Sequence, residues 1–467
     1  MGNYAVRILR DVNRYIREFF RTIRPGRLLI VLYLGSILLA TLILWLPILA
    51  EGECLSILDA CFTATSALCV TGLIVVDTPT AFNTAGEIVL MILLQAGGLG
   101  IMTLSTFFFH LFGWGISSRD RVMIYRTYSP SPSHEVLQLV KAVIKYALTF
   151  EILGAIILGA RWALDYGIIR GLYLGLFHSV SAFTNSGFSL FSDSISGYRD
   201  DPVINIVFFA LIVMGGLGFI ILLRLRRIAA GKLEFRELGL HGRLVIVATL
   251  ILIIGGAILF ALLEIDNIFE GKGADEIILV SFFQSITART AGFNTVDMAN
   301  LSNATLLIMM ILMFIGASPG SCGGGIKTTT LAVMLSLMYN RLRGGERVNI
   351  WKRTLPPKIV NRSLSIFVIS VVILLIFASL LMITQSSEIS HQQSRGTFLE
   401  YLFEAVSAFG TVGLSMGVTG KLTDFGKILI IILMIIGRIG PLSVAYALAS
   451  RGGTQRIEYA EENVMIG

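Results

Sequence analysis

Charge is what this 467-residue chain has least of. Asp, Glu, Lys and Arg together make up 14% of it, against roughly 25% in an average soluble domain. That shortfall excludes an ordinary water-soluble globule. Cysteine is also scarce: Cys54, Cys61, Cys69 and Cys322 form no CxxC pair, which argues against a disulfide framework or a zinc site. The five histidines include no HExxH, so a zincin reading fails. No set of His, Asp and Glu gathers at one membrane face, and no enzymatic activity is expected. The first 27 residues hold seven arginines and no early apolar core, so they are not a secretory signal.

Hydrophobic residues supply 55% of the chain and the mean hydropathy is +0.80. Apolar runs of about 20 residues, enough to cross a ~30 Å hydrocarbon core, recur throughout. This is a multi-pass protein of the cell membrane. Its net charge of +7 does not indicate a nucleic-acid partner, because the basic residues cluster at Arg7 to Arg27, Arg119 to Lys145, Arg224 to Arg243, Arg341 to Arg362, and in the tail at Arg451 and Arg456. Those clusters alternate with positive-poor segments such as Glu51 to Asp59, the pattern of the positive-inside rule. Ile8, Leu9, Val12, Ile16, Phe19, Phe20 and Ile23 share one helical face. They predict an amphipathic helix resting on membrane lipid at the cytoplasmic surface.

Four stretches share one layout: SALCVTGLIVVD (66–77), SAFTNSGFSLFSD (181–193), SITARTAGFNTVD (285–297) and SAFGTVGLSMG (407–417). Their glycines, Gly72, Gly187, Gly292 and Gly413, stand at intervals of 115, 105 and 121 residues. Before each comes an apolar span (Leu28–Leu49, Leu137–Leu158, Leu244–Leu263, Leu364–Ile383) and then a shorter half-apolar stretch (Leu55–Leu68, Gly171–Phe183, Glu276–Ala288, Phe398–Phe409). The shorter stretches cannot cross a bilayer and fit re-entrant helices. After each glycine comes a second span: Ala85–Phe112, Val203–Leu223, Leu306–Met338 with an interruption, and Gly426–Leu448.

The expected fold is an all-α membrane protein of four parallel M1–P–M2 repeats (helix, re-entrant pore helix and loop, helix). They would have pseudo-fourfold symmetry around a central pore and occupy 28–130, 131–235, 236–345 and 346–450. A cytoplasmic segment, 1–27, precedes them, a cytoplasmic tail, 451–467, follows, and both termini are cytoplasmic. Non-helical backbone survives at membrane depth only beside protein or a water-filled cavity, and four loops on one axis can share such a cavity.

Two readings of the loops compete. Each glycine is either the C-cap of a tight helix-closing turn or part of a carbonyl-lined cation filter, in which backbone oxygens replace a hydration shell. Four copies in matched context favour the filter, built from Val70, Thr71 and Gly72; Asn185, Ser186 and Gly187; Thr290, Ala291 and Gly292; and Thr411, Val412 and Gly413. Glycine allows the φ > 0 that turns adjacent carbonyls to one axis. The short helices aim their partly negative C-termini at the loops. No Asp or Glu ring adjoins the four glycines, so the ion is monovalent.

These loop sequences resemble the four filter loops of the Trk/Ktr/HKT cation transporter superfamily over residues 27 to 450 or so, nearer to its Ktr branch. The resemblance implies potassium uptake, often sodium-dependent, with K+ and Na+ as transported ions and no organic cofactor. It also implies a homodimer with one pore per protomer and a cytoplasmic ring of nucleotide-binding RCK subunits as gating partner. Glycine at Gly72 points to potassium rather than sodium. No loop retains a full TVGYG; Thr411 to Leu414 comes nearest, so discrimination looser than in a potassium channel is expected. A sodium-selective or weakly selective pathway is the alternative.

GASPGSCGGGIKTTT (316–330) cannot stay helical. It imitates a phosphate-binding loop, but Ile326 breaks the spacing and no strand precedes it. In the resembled family this region is a gating intramembrane loop, which assigns the gate to Gly316, Ala317, Ser318, Pro319, Gly320, Ser321, Gly323, Gly324, Gly325 and Lys327, with Arg438 beneath the filter. A charge such as Arg438 within the membrane is costly and faces a cavity or partner. Lys327 reads as a snorkelling side chain, Glu264 as interfacial, and Glu151 as hydrogen-bonded inside the bundle. Ser56-x-x-Asp59 and Thr397-x-x-Glu400 read as helix N-caps. The glycines of QAGGLG (95–100) and VMGGLGF (213–219) predict close helix approach and leave room for a bend.

Overall fold

The computed structural model describes residues 25–52, 54–100, 136–386 and 396–441. Among them the one sheet is a ribbon, β1 (Asn349–Ile350) antiparallel to β2 (Arg353–Thr354); all else regular is helical. The amphipathic segment before residue 25, the basic stretch at 113–135 and the tail lie outside the described residues.

Four long apolar helices frame the fold: α1 (Pro25–Leu44), α5 (Val136–Tyr166), α9 (Gly239–Glu264) and α13 (Pro357–Ser386). A helix satisfies its backbone groups internally except at its two ends, which is why such runs take this form where water is absent. Val140–Tyr166, Phe235–Glu264 and Pro357–Gln385 are long and apolar enough to cross a membrane. They expose Ile152, Ile156, Ile251, Leu262 and Leu375 outward, a surface suited to lipid and not to water.

Behind each long helix stands a short one: α2 (Ile57–Cys69), α6 (Ile168–Phe183), α10 (Ala274–Thr287) and α14 (Thr397–Gly410). These are the most deeply buried elements; in α2 all but one residue from Ala60 to Cys69 is buried. Phe183 of α6 and Phe283 of α10 share one apolar cluster with Phe208 and Phe293. Ser56 caps α2, accepting the Asp59 N–H at 3.0 Å and donating to its carboxylate at 2.7 Å. The corresponding reading at α14 is corrected: its N-cap is Gly396, and Thr397 already lies in the first turn.

A third set follows: α4 (Thr84–Leu99, after the one-turn α3, Thr78–Ala81), α7 (Pro202–Gly216), α11 (Asn303–Phe314) and α15 (Asp424–Ile439). Asn83, Asp201, Ser302 and Thr423 cap them, each accepting a first-turn N–H that would otherwise be orphaned. Three of these helices are followed at or just past their ends by a glycine in one conformation: Gly100 (φ 82°, ψ 130°), Gly218 (φ 93°, ψ 131°, after the C-cap Leu217) and Gly440 (φ 92°, ψ 133°). No helix continues through φ near +90°. The Val203–Leu223 stretch is accordingly bent: α8 (Phe219–Ala229) leaves α7 at 110°. After α11 the chain leaves helix until α12 (Thr328–Leu342), as the glycine run predicts.

Candidate functional site

Each short helix ends where a glycine loop begins, and the ending is built the same way in three of the four. Thr71 N–H bonds to Ser66 O at 2.8 Å and Val70 N–H to Ala67 O at 3.1 Å; Ser186 and Asn185 repeat this on Ser181 and Ala182, and Val412 and Thr411 on Ser407 and Ala408. This paired closure caps a helix with one left-handed residue. That residue is Val70 (φ 57°), Asn185 (φ 59°) or Thr411 (φ 49°), and in the third loop Thr290 (φ 74°) is also left-handed. The glycines come two residues later, at φ 91°, 73°, 77° and 95° for Gly72, Gly187, Gly292 and Gly413. They are not the helix caps, so the simple capping reading fails.

What requires glycine there is a neighbour. A Cβ on Gly72 would fall 2.5 Å from Ser186 O, and one on Gly187 would fall 2.8 Å from Ala291 O. One on Gly292 would overlap Val412 O, and one on Gly413 would overlap Thr71 O. The four loops therefore close a circuit, one after another, in which glycines alternate with the carbonyl oxygens of the residues preceding them. The partly negative C-termini of α2, α6, α10 and α14 converge on that circuit.

A hydroxyl from the last turns of each short helix holds its loop. Ser66 and Ser407 accept the N–H of Gly72 and Gly413, each at 3.1 Å. Ser181 and Thr287 donate to the carbonyls of Phe188 and Phe293, each at 2.6 Å. By sequence Ser285 matches the other serines, but its hydroxyl bonds to Ile253 O at 2.7 Å. The third loop has one extra residue, and Thr287 takes the task.

The broken segment between α11 and α12 lies against this ring. A Cβ on Gly323 would overlap Thr290 Oγ1, and Gly324 N–H donates to Thr411 Oγ1 at 3.0 Å. Ile315 and Ile326 bridge as parallel backbone, closing the segment into a loop that includes Gly316 to Gly325. It is tied to the end of α7 and the start of α8: Ser318 and Cys322 N–H bond to Gly216 O and Gly215 O, each at 3.1 Å, and Gly320 O accepts Phe219 N–H at 3.0 Å. Ser321 Oγ donates to Ser318 O at 2.6 Å. The snorkelling reading of Lys327 is corrected, because its ammonium bonds to Gly323 O (2.6 Å) and Gly324 O (3.2 Å) of the same loop.

Arg438 gathers three elements. It donates to Cys322 O in the loop, to Gly97 O at the end of α4, and to Tyr33 Oη on α1 at 3.3 Å. GGLG at 97–100 and 215–218 aligns with GRIG at 437–440, so the arginine stands where two other breaks carry Gly98 and Gly216. The first glycine of each set packs on the end of a short helix: a Cβ on Gly97, Gly215 or Gly437 would meet Leu68 O, Phe183 O or Phe409 O. Glu151 accepts from Gln95 Nε2 at 3.1 Å inside the bundle. Glu264, the last residue of α9, is buried in the protein, accepting from Asn267 Nδ2 at 2.6 Å and Ser302 N–H at 2.9 Å. The left-handed Val70, Asn185, Thr290 and Thr411 and the partners of Arg438 carry no signal in sequence; the GGLG/GRIG alignment alone hints at where Arg438 sits.

Residues 34–452 match the family described as TrkH, cation transport protein. Among curated proteins, the chain is 41% identical to the Ktr system potassium uptake protein B of Vibrio alginolyticus, covering 94% of both chains. It is 35% identical to the potassium/sodium uptake protein NtpJ of Enterococcus hirae, over 95% of this chain and 96% of that one. Among solved structures, the potassium transporter TrkH from Vibrio parahaemolyticus shares the fold at a TM-score of 0.74 and 18% identity, over 92% of this chain and 86% of that one. Its relatives are ion transporters and not enzymes, and the chain belongs to the TrkH cation transport protein family.

Proposed function

We propose that this chain is the ion-conducting membrane subunit of a potassium-uptake system. Four parallel M1–P–M2 units, related by pseudo-fourfold symmetry, surround one pore, with both termini cytoplasmic. The closed circuit of Gly72, Gly187, Gly292 and Gly413 with the carbonyls of Thr71, Ser186, Ala291 and Val412 carries this reading. It offers a dehydrated cation several oxygens and no fixed negative charge, which suits a monovalent ion. Val70, Asn185, Thr290 and Thr411 complete the filter.

The segment from Gly316 to Lys327 is the gate. It bears on the filter loops through Gly323 and Gly324, and Arg438 holds it in place through Cys322. The positive charges of Lys327 and Arg438 oppose a cation while the loop is seated. The relatives named for potassium uptake support potassium as cargo. The relative named for potassium and sodium supports sodium as a second or coupled ion. Kinship with the Ktr proteins supports a homodimer, one pore per chain, seated on a cytoplasmic RCK ring that moves the gate.

Expression in a host unable to take up potassium, with rubidium entry followed with and without sodium, tests the proposal. Restored growth on low potassium with sodium-stimulated rubidium entry is expected. Equal potassium and sodium flux would replace this reading with a weakly selective cation pathway.

A further inference from the structure

The four loops differ in how the limb leaving the glycine is held. In three of them a fully buried side chain from the short helix reaches across to that limb. His178, nine residues before Gly187, places Nε2 3.0 Å from Ser189 Oγ and accepts the Leu190 N–H at 3.3 Å. Its Nδ1 faces the Leu174 carbonyl at 2.9 Å, so the neutral ring carries its proton there. Gln284, eight residues before Gly292, donates to Thr295 Oγ1 at 3.1 Å. Glu404, nine before Gly413, accepts from Ser415 Oγ at 3.0 Å and from Thr419 Oγ1. The counterpart in the first loop is Thr63, nine before Gly72; its buried hydroxyl has no partner. Ile74 stands where Ser189 and Ser415 stand, and the limb from Leu73 to Val76 is wholly apolar.

We propose that His178, Gln284 and Glu404 are positioning residues for ion selectivity, each clasping one filter loop, and that the first loop, without a clasp, is the one that yields to the ion. This rests on the glycine circuit being the filter. Three different side chains perform one task at one place, so the common element is the bond to the limb and not the chemistry of the partner. Directional bonds in a water-free interior fix a loop's distance from its helix. Apolar packing is non-directional and holds the first limb less strictly. A ring that keeps its size on three sides resists collapse around a smaller cation, and the fourth side sets how much discrimination is lost.

The test uses Ser189→Ala, Thr295→Val and Ser415→Ala, singly and together, with Thr63→Val as the isosteric control in the unclasped loop. Initial rates of potassium and sodium entry, and the KM for potassium, are measured in a potassium-uptake-deficient host with membrane protein quantified. Each clasp variant should raise the potassium KM and lower the potassium-to-sodium ratio about two- to tenfold, the worth of one hydrogen bond. The triple variant should lose more, and Thr63→Val should match the wild type. Glu404→Gln, which keeps an acceptor oxygen, should lie closer to wild type than Glu404→Ala. It supplies the same comparison should a limb variant fail to insert. Unshifted ratios in correctly inserted variants, or an equal shift in Thr63→Val, overturn the clasps. A wild-type chain that carries no potassium would instead overturn the filter reading beneath them.

Discussion

The guanidinium of Arg438 donates to the backbone carbonyl of Cys322, joining the last described helix to the loop that interrupts α11 and α12. The same group holds Gly97 O and Tyr33 Oη. One part-buried cation thus ties α1, α4 and α15 to the seated loop, and breaking it takes the donor from the Cys322 carbonyl, while Gly97 O keeps the Gly100 N–H. Bonds to a charged group contribute about 1.5–3 kcal/mol each, and about 1.4 kcal/mol is tenfold in an equilibrium. Arg438→Ala should therefore raise basal rubidium influx about tenfold or more. Arg438→Lys, with one ammonium in place of the fork, should fall between. Unchanged influx in Arg438→Ala would leave the arginine as a packing contact.

Deleting Gly323–Gly325 removes both carbonyls that hold Lys327 and the N–H that bonds Thr411. Basal flux should rise if this segment is the gate, because nothing then bears on the loops at Thr290 and Thr411. Flux assays on purified protein in vesicles give the answer directly, and equal or lower flux in a folded variant counts against a gate.

Gly413 sits at φ 95° with its Cα against the Thr71 carbonyl. A left-handed backbone costs a side-chain-bearing residue about 1–2 kcal/mol, before any clash. Gly413→Asp should abolish potassium uptake or its selectivity while the protein still reaches the membrane. Retained selective uptake would dismiss the filter.

Gly215→Ala and Gly255→Ala separate packing from propensity. The first adds a methyl where the Phe183 carbonyl stands; the second adds one where nothing lies within 4 Å. Overpacking costs about 1–3 kcal/mol, so Gly215→Ala should melt earlier in detergent. Gly255→Ala, in the middle of α9, should be neutral or gain about 0.5–1 kcal/mol.

Membrane class, the long apolar helices, the four glycine loops and the broken stretch at 316–327 were all legible in the sequence. Each is a local signal: an apolar run, a short run before a glycine, a density of Gly and Pro that no helix tolerates. Position along the chain also marked Ser56 as a cap and Arg438 as an anomaly. Local signals failed where two residues distant in the chain compete for one hydrogen bond. Ser285 looked like Ser66 and Ser407 yet turned to Ile253 O, and Lys327 looked free to reach water but is held by its own loop.

What the sequence by itself determined is which segments avoid water and where the backbone must leave helix, since both follow from side-chain hydropathy and backbone freedom residue by residue. What only the tertiary structure decided is that the four loops meet. The contact of Gly72 with Ser186 and of Gly413 with Thr71, like the reach of Arg438 to Cys322 and Gly97, joins residues more than a hundred positions apart. Packing of whole helices sets such distances, and no neighbouring residue encodes them.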